Sequence, residues 1–184
     1  FSAIKHRNMG TSMRLSYGFK ERYYLEGSFG YNGSERFAKD NRFGFFPAVG
    51  GAWIISKEPF MKSTSNWLSY LKLRLSYGKV GNDGIGTGDI STYGNVGRYL
   101  YLENVTQNQN NNYIIQSYAN PTIQWEIAEQ ANLGLEFALF NGLVDCTVDA
   151  YQEIRHNILS QRVVIPASMG LGLYPYANIG KGRS

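Results

Sequence analysis

Only one cysteine, two histidines and 17% charged residues occur among the 184 positions, and no stretch approaches the roughly 18 consecutive apolar residues of a membrane-spanning helix. Each scarcity excludes something. A lone Cys146 forms no internal disulfide, and in its apolar surroundings it reads as a small hydrophobe. His6 and His156 have no Cys or His at ligand spacing, so no metal and no cofactor is expected. The net charge of +4 is small and the basic residues are scattered, which argues against a nucleic-acid partner. The missing apolar run excludes a transmembrane helix but not a β-barrel, whose strands alternate and average to a soluble-looking hydropathy. The chain begins at Phe1 without a charged region followed by an apolar one, and ends in Gly180–Ser184. It is therefore expected to be a piece of a longer protein, its last residues opening a further segment.

What the sequence does have is aromatic residues, Tyr 14, Phe 10 and Trp 3, and alternation. The tyrosines suit amphipathic interfaces, either membrane girdles or sugar-binding surfaces. The clearest alternation flanks Asn141-Gly142, a strong tight-turn dipeptide. Before it, Leu133, Leu135, Phe137 and Leu139 share one face and Asn132, Gly134 and Glu136 the other. After it, Val144, Cys146, Val148 and Ala150 alternate with Asp145, Thr147, Asp149 and Tyr151. A two-residue loop at Asn141-Gly142 sets Leu139 opposite Val144, Phe137 opposite Cys146, Leu135 opposite Val148 and Leu133 opposite Ala150. A slip of one residue would place Asp145 and Asp149 among the leucines, so pattern fixes register.

Six strands are predicted, near 13–20, 23–32, 43–55, 71–80, 123–140 and 143–160, with loops near 33–42, 81–122 and 161–178. Lys20, Glu21 and Arg22 make a short turn. Pro47 and glycines 44, 50 and 51 blur the third strand, and Ser56 as cap with Pro59 in a first turn predicts a short helical link before Tyr70. The long connection 81–122 is hard to fit in a compact soluble domain and ordinary outside a barrel. The fold predicted is all-β, an antiparallel up-and-down meander. The residues alone leave open whether lipid or a second protein layer covers its apolar face. The rivals are a soluble β-rich carbohydrate-binding or adhesion module and a β-sandwich glycoside hydrolase.

Glu136, Asp145 and Asp149 are candidates for a carboxylate site, but a wet wall is the stronger reading, and no enzyme is expected. The glycines at 84, 86 and 88 follow a strand but precede no helical pattern, so they do not read as a phosphate loop. Asn82, Asp83 and Asp89 fit no calcium-loop spacing. Tyr93, Tyr99 and Tyr101 in the long loop are candidate substrate contacts, since flat exposed rings stack on sugars or on a partner. Trp53, Trp67 and Trp125 lie near strand ends, where either an interfacial girdle or core packing accounts for them.

Five pieces of the chain, in order, resemble the SusC/RagA type of TonB-dependent outer-membrane transporter: Phe46-Pro47-Ala48-Val49-Gly50-Gly51-Ala52-Trp53, Leu71-Lys72-Leu73-Arg74-Leu75-Ser76-Tyr77-Gly78-Lys79-Val80-Gly81-Asn82, Asn120-Pro121-Thr122-Ile123-Gln124-Trp125-Glu126, Asn132-Leu133-Gly134-Leu135-Glu136 and Val148-Asp149-Ala150-Tyr151. The resemblance implies a segment of a large transmembrane barrel of about 22 strands in the bacterial outer membrane. It also implies import of glycans or peptides with a SusD-like surface lipoprotein, and TonB as energy source. Leu133, Leu135, Phe137, Leu139, Val144 and Val148 would then face lipid, and Glu136, Asp145 and Asp149 the lumen. No plug domain or TonB box has a counterpart in these residues, so energy coupling is expected from parts outside them.

Overall fold

A computed structural model of the chain describes residues 7–84, 102–107, 111–162 and 176–184. Four strands come first: β1 (Asn8–Phe19), β2 (Tyr23–Ser34), β3 (Phe43–Ile54) and β4 (Leu68–Asn82). A short hairpin follows, β5 (Asn104–Gln107) and β6 (Tyr113–Ser117), and then β7 (Glu126–Leu139), β8 (Val144–Gln161) and β9 (Tyr176–Arg183). The main sheet has seven strands in the order β1-β2-β3-β4-β7-β8-β9, and β5 and β6 pair only with each other. Every pairing is antiparallel. The fold is thus an up-and-down meander in which the β5–β6 excursion leaves β4 and β7 adjacent.

Two stretches expected as loop contain strand. The β5–β6 hairpin lies inside 81–122, where strands of four and five residues are too short to show a period among the asparagines. β9 begins inside 161–178; it carries glycines at 180 and 182 in place of an apolar face, and it pairs with β8 past a bulge where Asn157 takes φ 59°. Asn178 holds that bulge, its Nδ2 donating to the Asn157 carbonyl at 2.7 Å.

The hairpin register is the one the alternation requires: Leu139, Phe137, Leu135 and Leu133 lie opposite Val144, Cys146, Val148 and Ala150. The turn itself is wider than two residues. Phe140, Asn141 and Gly142 all take positive φ, Leu143 N–H donates to the Phe140 carbonyl, and Phe140 N–H is drawn away to the Trp67 carbonyl at 2.9 Å. That bond diverts the Phe140 N–H, which would otherwise donate back to Leu143 across the hairpin. The link carries two 3-10 turns, Ile55–Lys57 and Pro59–Thr64. Ser56 lies within the first turn and does not cap it; Pro59 opens the second, where its missing N–H costs nothing. Pro47 is paired with Phe29 of β2, and the β3–β4 register starts only at Ala48, because proline brings no ladder donor.

Register across the sheet places the odd residues of β1 to β3 and β7, those of β4 from Leu71 to Lys79, past its register shift at Leu68/Tyr70, and the even residues at the start of β8 on one face. Leu15, Leu25, Val49, Leu75, Leu133 and Val148 lie on it and are about half to two-thirds exposed. No second layer of the described residues covers them. The buried apolar residues are few and off-centre. Phe37, Phe46, Ile123 and Trp125 form a small core at the loop end, with Leu159 and Tyr176 against it. Phe46 is T-shaped to Trp125 at 5.2 Å, and Trp125 Nε1 donates to the Arg42 carbonyl at 3.1 Å. Trp125 is therefore a core residue and not part of a girdle. Trp53 does sit on the apolar face, stacked on Tyr23 at the turn end.

Candidate functional site

The opposite face of the sheet carries charge, and its charges are organised. Lys72 and Arg74 alternate with the leucines of β4, Gly134 and Glu136 with those of β7, and Asp149 with the valines of β8. The register sets Lys72 beside Glu136, Arg74 beside Gly134, and Gly134 beside Asp149. Lys72 Nζ lies 3.3 Å from Glu136 Oε2 and Arg74 Nε lies 2.7 Å from Glu136 Oε1. Arg74 Nη2 then reaches Asp149 Oδ1 at 3.1 Å. A side chain at Gly134 would block that reach: its Cβ would lie 2.6 Å from Asp149 Oδ1 and 3.0 Å from Arg74 Nη2. Two strands away on the same face, Arg14 Nη2 pairs with Glu26 Oε2 at 2.7 Å, and Ser16 Oγ donates to the same carboxylate.

Of the three acidic candidates, the structure joins Glu136 and Asp149 through Arg74 and leaves Asp145 exposed, opposite Ala138 and outside the ladder. Lys72, Arg74 and Gly134 were missed as site residues. Their signal lay in the Leu/Lys/Leu/Arg alternation of β4, but nothing local says that β4 pairs with β7. A carboxylate already held by a guanidinium has little use as an acid or base. The ladder is a charge-balanced polar surface, two cations against two carboxylates. At the loop end of the sheet a cleft of about 290 Å³ has Asn8, Met9, Asn32, Gly33, Asp83 and Trp125 in its lining. Asn8 Nδ2 donates to Asp83 Oδ2 at 3.3 Å and Arg36 Nη1 to the Asp83 carbonyl at 2.8 Å. Tyr93, Tyr99 and Tyr101 lie outside the described residues.

Residues 3–184 match the family model described as TonB dependent receptor-like, beta-barrel. The chain belongs to that family. Among its relatives, the TonB-dependent receptor SusC of Bacteroides thetaiotaomicron is 34% identical over 173 residues, which is 91% of this chain and 16% of the relative. A TonB-dependent receptor of Formosa agariphila is 33% identical over 178 residues, 97% of this chain and 16% of the relative. Among solved structures, the RagAB peptide importer in its closed-closed state superposes with a TM-score of 0.78 at 29% identity, over 97% of this chain and 18% of that one. The open-open state gives 0.77 at 30% identity. The chain is thus a SusC/RagA-type receptor segment, spanning less than a fifth of the relatives it matches.

At the turn end the receptor wall is closed by a second charged group. Glu58, in the link between the 3-10 turns, is buried, and its Oε1 accepts from Tyr23 Oη at 2.6 Å and Trp53 Nε1 at 3.1 Å; Arg22 Nη1 donates to Oε2 at 3.3 Å. The Tyr23 hydrogen bond, then that from Trp53, holds the Glu58 carboxyl below its ordinary pKa against the opposing effect of burial. Alongside, Lys57 Nζ pairs with Glu21 Oε2 at 2.9 Å and lowers that exposed carboxyl too. On the apolar face, above the band at the loop end, Lys79 Nζ pairs with Glu129 Oε1 at 2.7 Å and Tyr77 Oη donates to Oε2 at 3.0 Å.

Proposed function

We propose that the chain is a wall segment of an outer-membrane, TonB-dependent importer of glycans or peptides that works with a SusD-like surface lipoprotein. The exposed odd face meets lipid through Leu133, Leu135, Phe137, Leu139, Val144 and Val148, and Glu136, Asp145 and Asp149 face the lumen. The observation that carries this reading is the single layer, a broad apolar face left bare beside an ionic one. Soluble proteins rarely expose apolar patches beyond a few hundred Å². The nine residues from Ala131 to Leu139, at roughly 3.3 Å per residue and a tilt near 45°, cover about 20 to 25 Å, the height of an outer-membrane apolar band.

In this reading the wall does no chemistry. Its ion ladder keeps the inner surface wet and neutral, the rest of the barrel and a plug complete the pore, and TonB acts through parts outside this chain. The long connections mark the external end and the short turns the periplasmic end. Tyr93, Tyr99 and Tyr101 are proposed substrate contacts on the external loop.

The test uses the full-length protein in its own cells. Uptake of a glycan or peptide should fall to background when its gene is deleted, and equally when TonB is deleted, with the protein recovered in the outer-membrane fraction. Recovery as a soluble protein without detergent, or uptake indifferent to TonB, would overturn the proposal.

A further inference from the structure

We infer that Lys181 and Arg183 of β9, on the same face as Leu133 and Leu135 and just beyond the apolar band at the loop end, form a site for the phosphate monoester of an outer-leaflet lipid such as lipid A. The inference rests on the lipid-facing orientation proposed above. Register sets both the side and the height. Leu75, Leu133 and Ala150 form one apolar row of this face, Tyr77, Ala131 and Gln152 the next, and Lys79, Glu129, Ile154 and Arg183 the one beyond. Over about 13 Å along the strands the face passes from hydrocarbon to charge. Tyr77 marks the change, as aromatic residues do at the boundary of an outer-membrane apolar band.

Both cations of β9 lie on this side. Arg183 is the register partner of Ile154, and with the Gln152 amide turned to accept, its oxygen lies 2.9 Å from Arg183 Nε. Gly182 faces the other way, since a Cβ there would lie 3.9 Å from Arg155 Cβ, so Lys181 shares the face of Arg183. Lys181 and Arg183 are exposed, and neither has an ion-pair partner among the described residues. The nearby acids are engaged elsewhere: Glu129 by Lys79 on the same row, Glu126 and Glu153 by Arg155 on the opposite face. Lys79, Lys181 and Arg183 against the one carboxylate of Glu129 leave two positive charges beyond the band. A phosphate monoester brings about −1.5 to −2 at pH 7, a closer match than the smaller charge of a lipid phosphodiester. Guanidinium and ammonium groups hold its oxygens by charge-assisted hydrogen bonds. The acyl chains of the same amphiphile then run down β8 over Ile154, Ala150 and Val148, which share the face. A further strand paired to the free edge of β9 would lie beside it in the plane of the sheet and leave this face open.

The test uses the full-length receptor in phosphatidylcholine nanodiscs, with lipid A, dephosphorylated lipid A and phosphatidylglycerol as probes and lipid retained per protein as the readout. Lipid A should be retained over both other lipids, K181Q and R183Q should each weaken its retention about fivefold, and inorganic phosphate should not displace it. K181R and R183K should keep most of the retention, and E129Q, which removes the acid of the row, should retain more than wild type; a variant that merely misfolds gives neither result. Equal retention by wild type and both glutamine variants, indifference to the lipid phosphate, phosphatidylglycerol held as well as lipid A, no gain in E129Q, or displacement by inorganic phosphate would each overturn the site. TonB-dependent uptake measured on the same variants separates this outcome from failure of the importer reading.

Discussion

Arg74 on β4 binds Asp149 on β8, 3.1 Å from Nη2 to Oδ1, across the whole width of the intervening β7 strand, and it can do so because Gly134 offers no side chain between them. Three strands are tied on their polar side by one guanidinium, which also holds Glu136 on the strand it crosses.

G134A places a methyl group against both partners. It should cost about 1 to 3 kcal/mol of overpacking, measured by unfolding of the full-length protein in detergent. Truncating the obstacle as well, in G134A/D149A, should recover part of the loss. The Arg74–Asp149 pair is itself partly exposed, and a double-mutant cycle on it should return no more than about 1 kcal/mol.

The two faces should tolerate charge differently. Leu135→Arg should cost about 2 to 4 kcal/mol for folding into a bilayer, while Asp149→Asn on the opposite face should stay within about 1 kcal/mol of wild type. Reversible folding into lipid vesicles measures both.

Glu58 gives the wall an acid-sensitive joint. Its folded pKa is below its unfolded value, so its contribution is complete above the ordinary carboxylate pKa and is lost as pH falls through the lowered folded value. E58Q lacks this contribution. The stability gap between wild type and E58Q should therefore be widest near neutral pH and close progressively in acid below about pH 4, followed by unfolding midpoints of the full-length protein. A gap that stays constant with pH would remove the carboxylate from the account.

Trp125 anchors the loop-end core, so Trp125→Ala should destabilise that cluster by about 3 to 5 kcal/mol. Hydrogen exchange should accelerate at residues 35–42 and 118–125 while the band of β7 and β8 stays protected.

Local chemistry wrote most of the sheet. The alternation about Asn141-Gly142 set both the faces of β7 and β8 and their register, because the one-residue slip buries aspartates. What local pattern does not carry is partnership at a distance. In the sequence Lys72 and Arg74 are ordinary alternating polar residues of a strand, and only the return of the chain after the long connection, beside β4, makes them partners of Glu136 and Asp149. Trp125 shows the same limit from the other side. Its position at a strand end fits a girdle as well as a core, and the deciding neighbours, Phe37 and Phe46, come from a segment some eighty residues earlier. The turn was misjudged for a similar reason, since the Trp67 carbonyl that takes Phe140 N–H belongs to another link.

The most direct measurement is solvent accessibility along β7 of the full-length protein in bilayers. Spin labels at Leu133, Leu135, Phe137 and Leu139 should collide with oxygen and be hidden from a water-soluble nickel reagent, and labels at Asn132 and Glu136 should show the reverse. A flat profile along the strand, or nickel access at the four apolar positions, would contradict the assignment of that face to lipid.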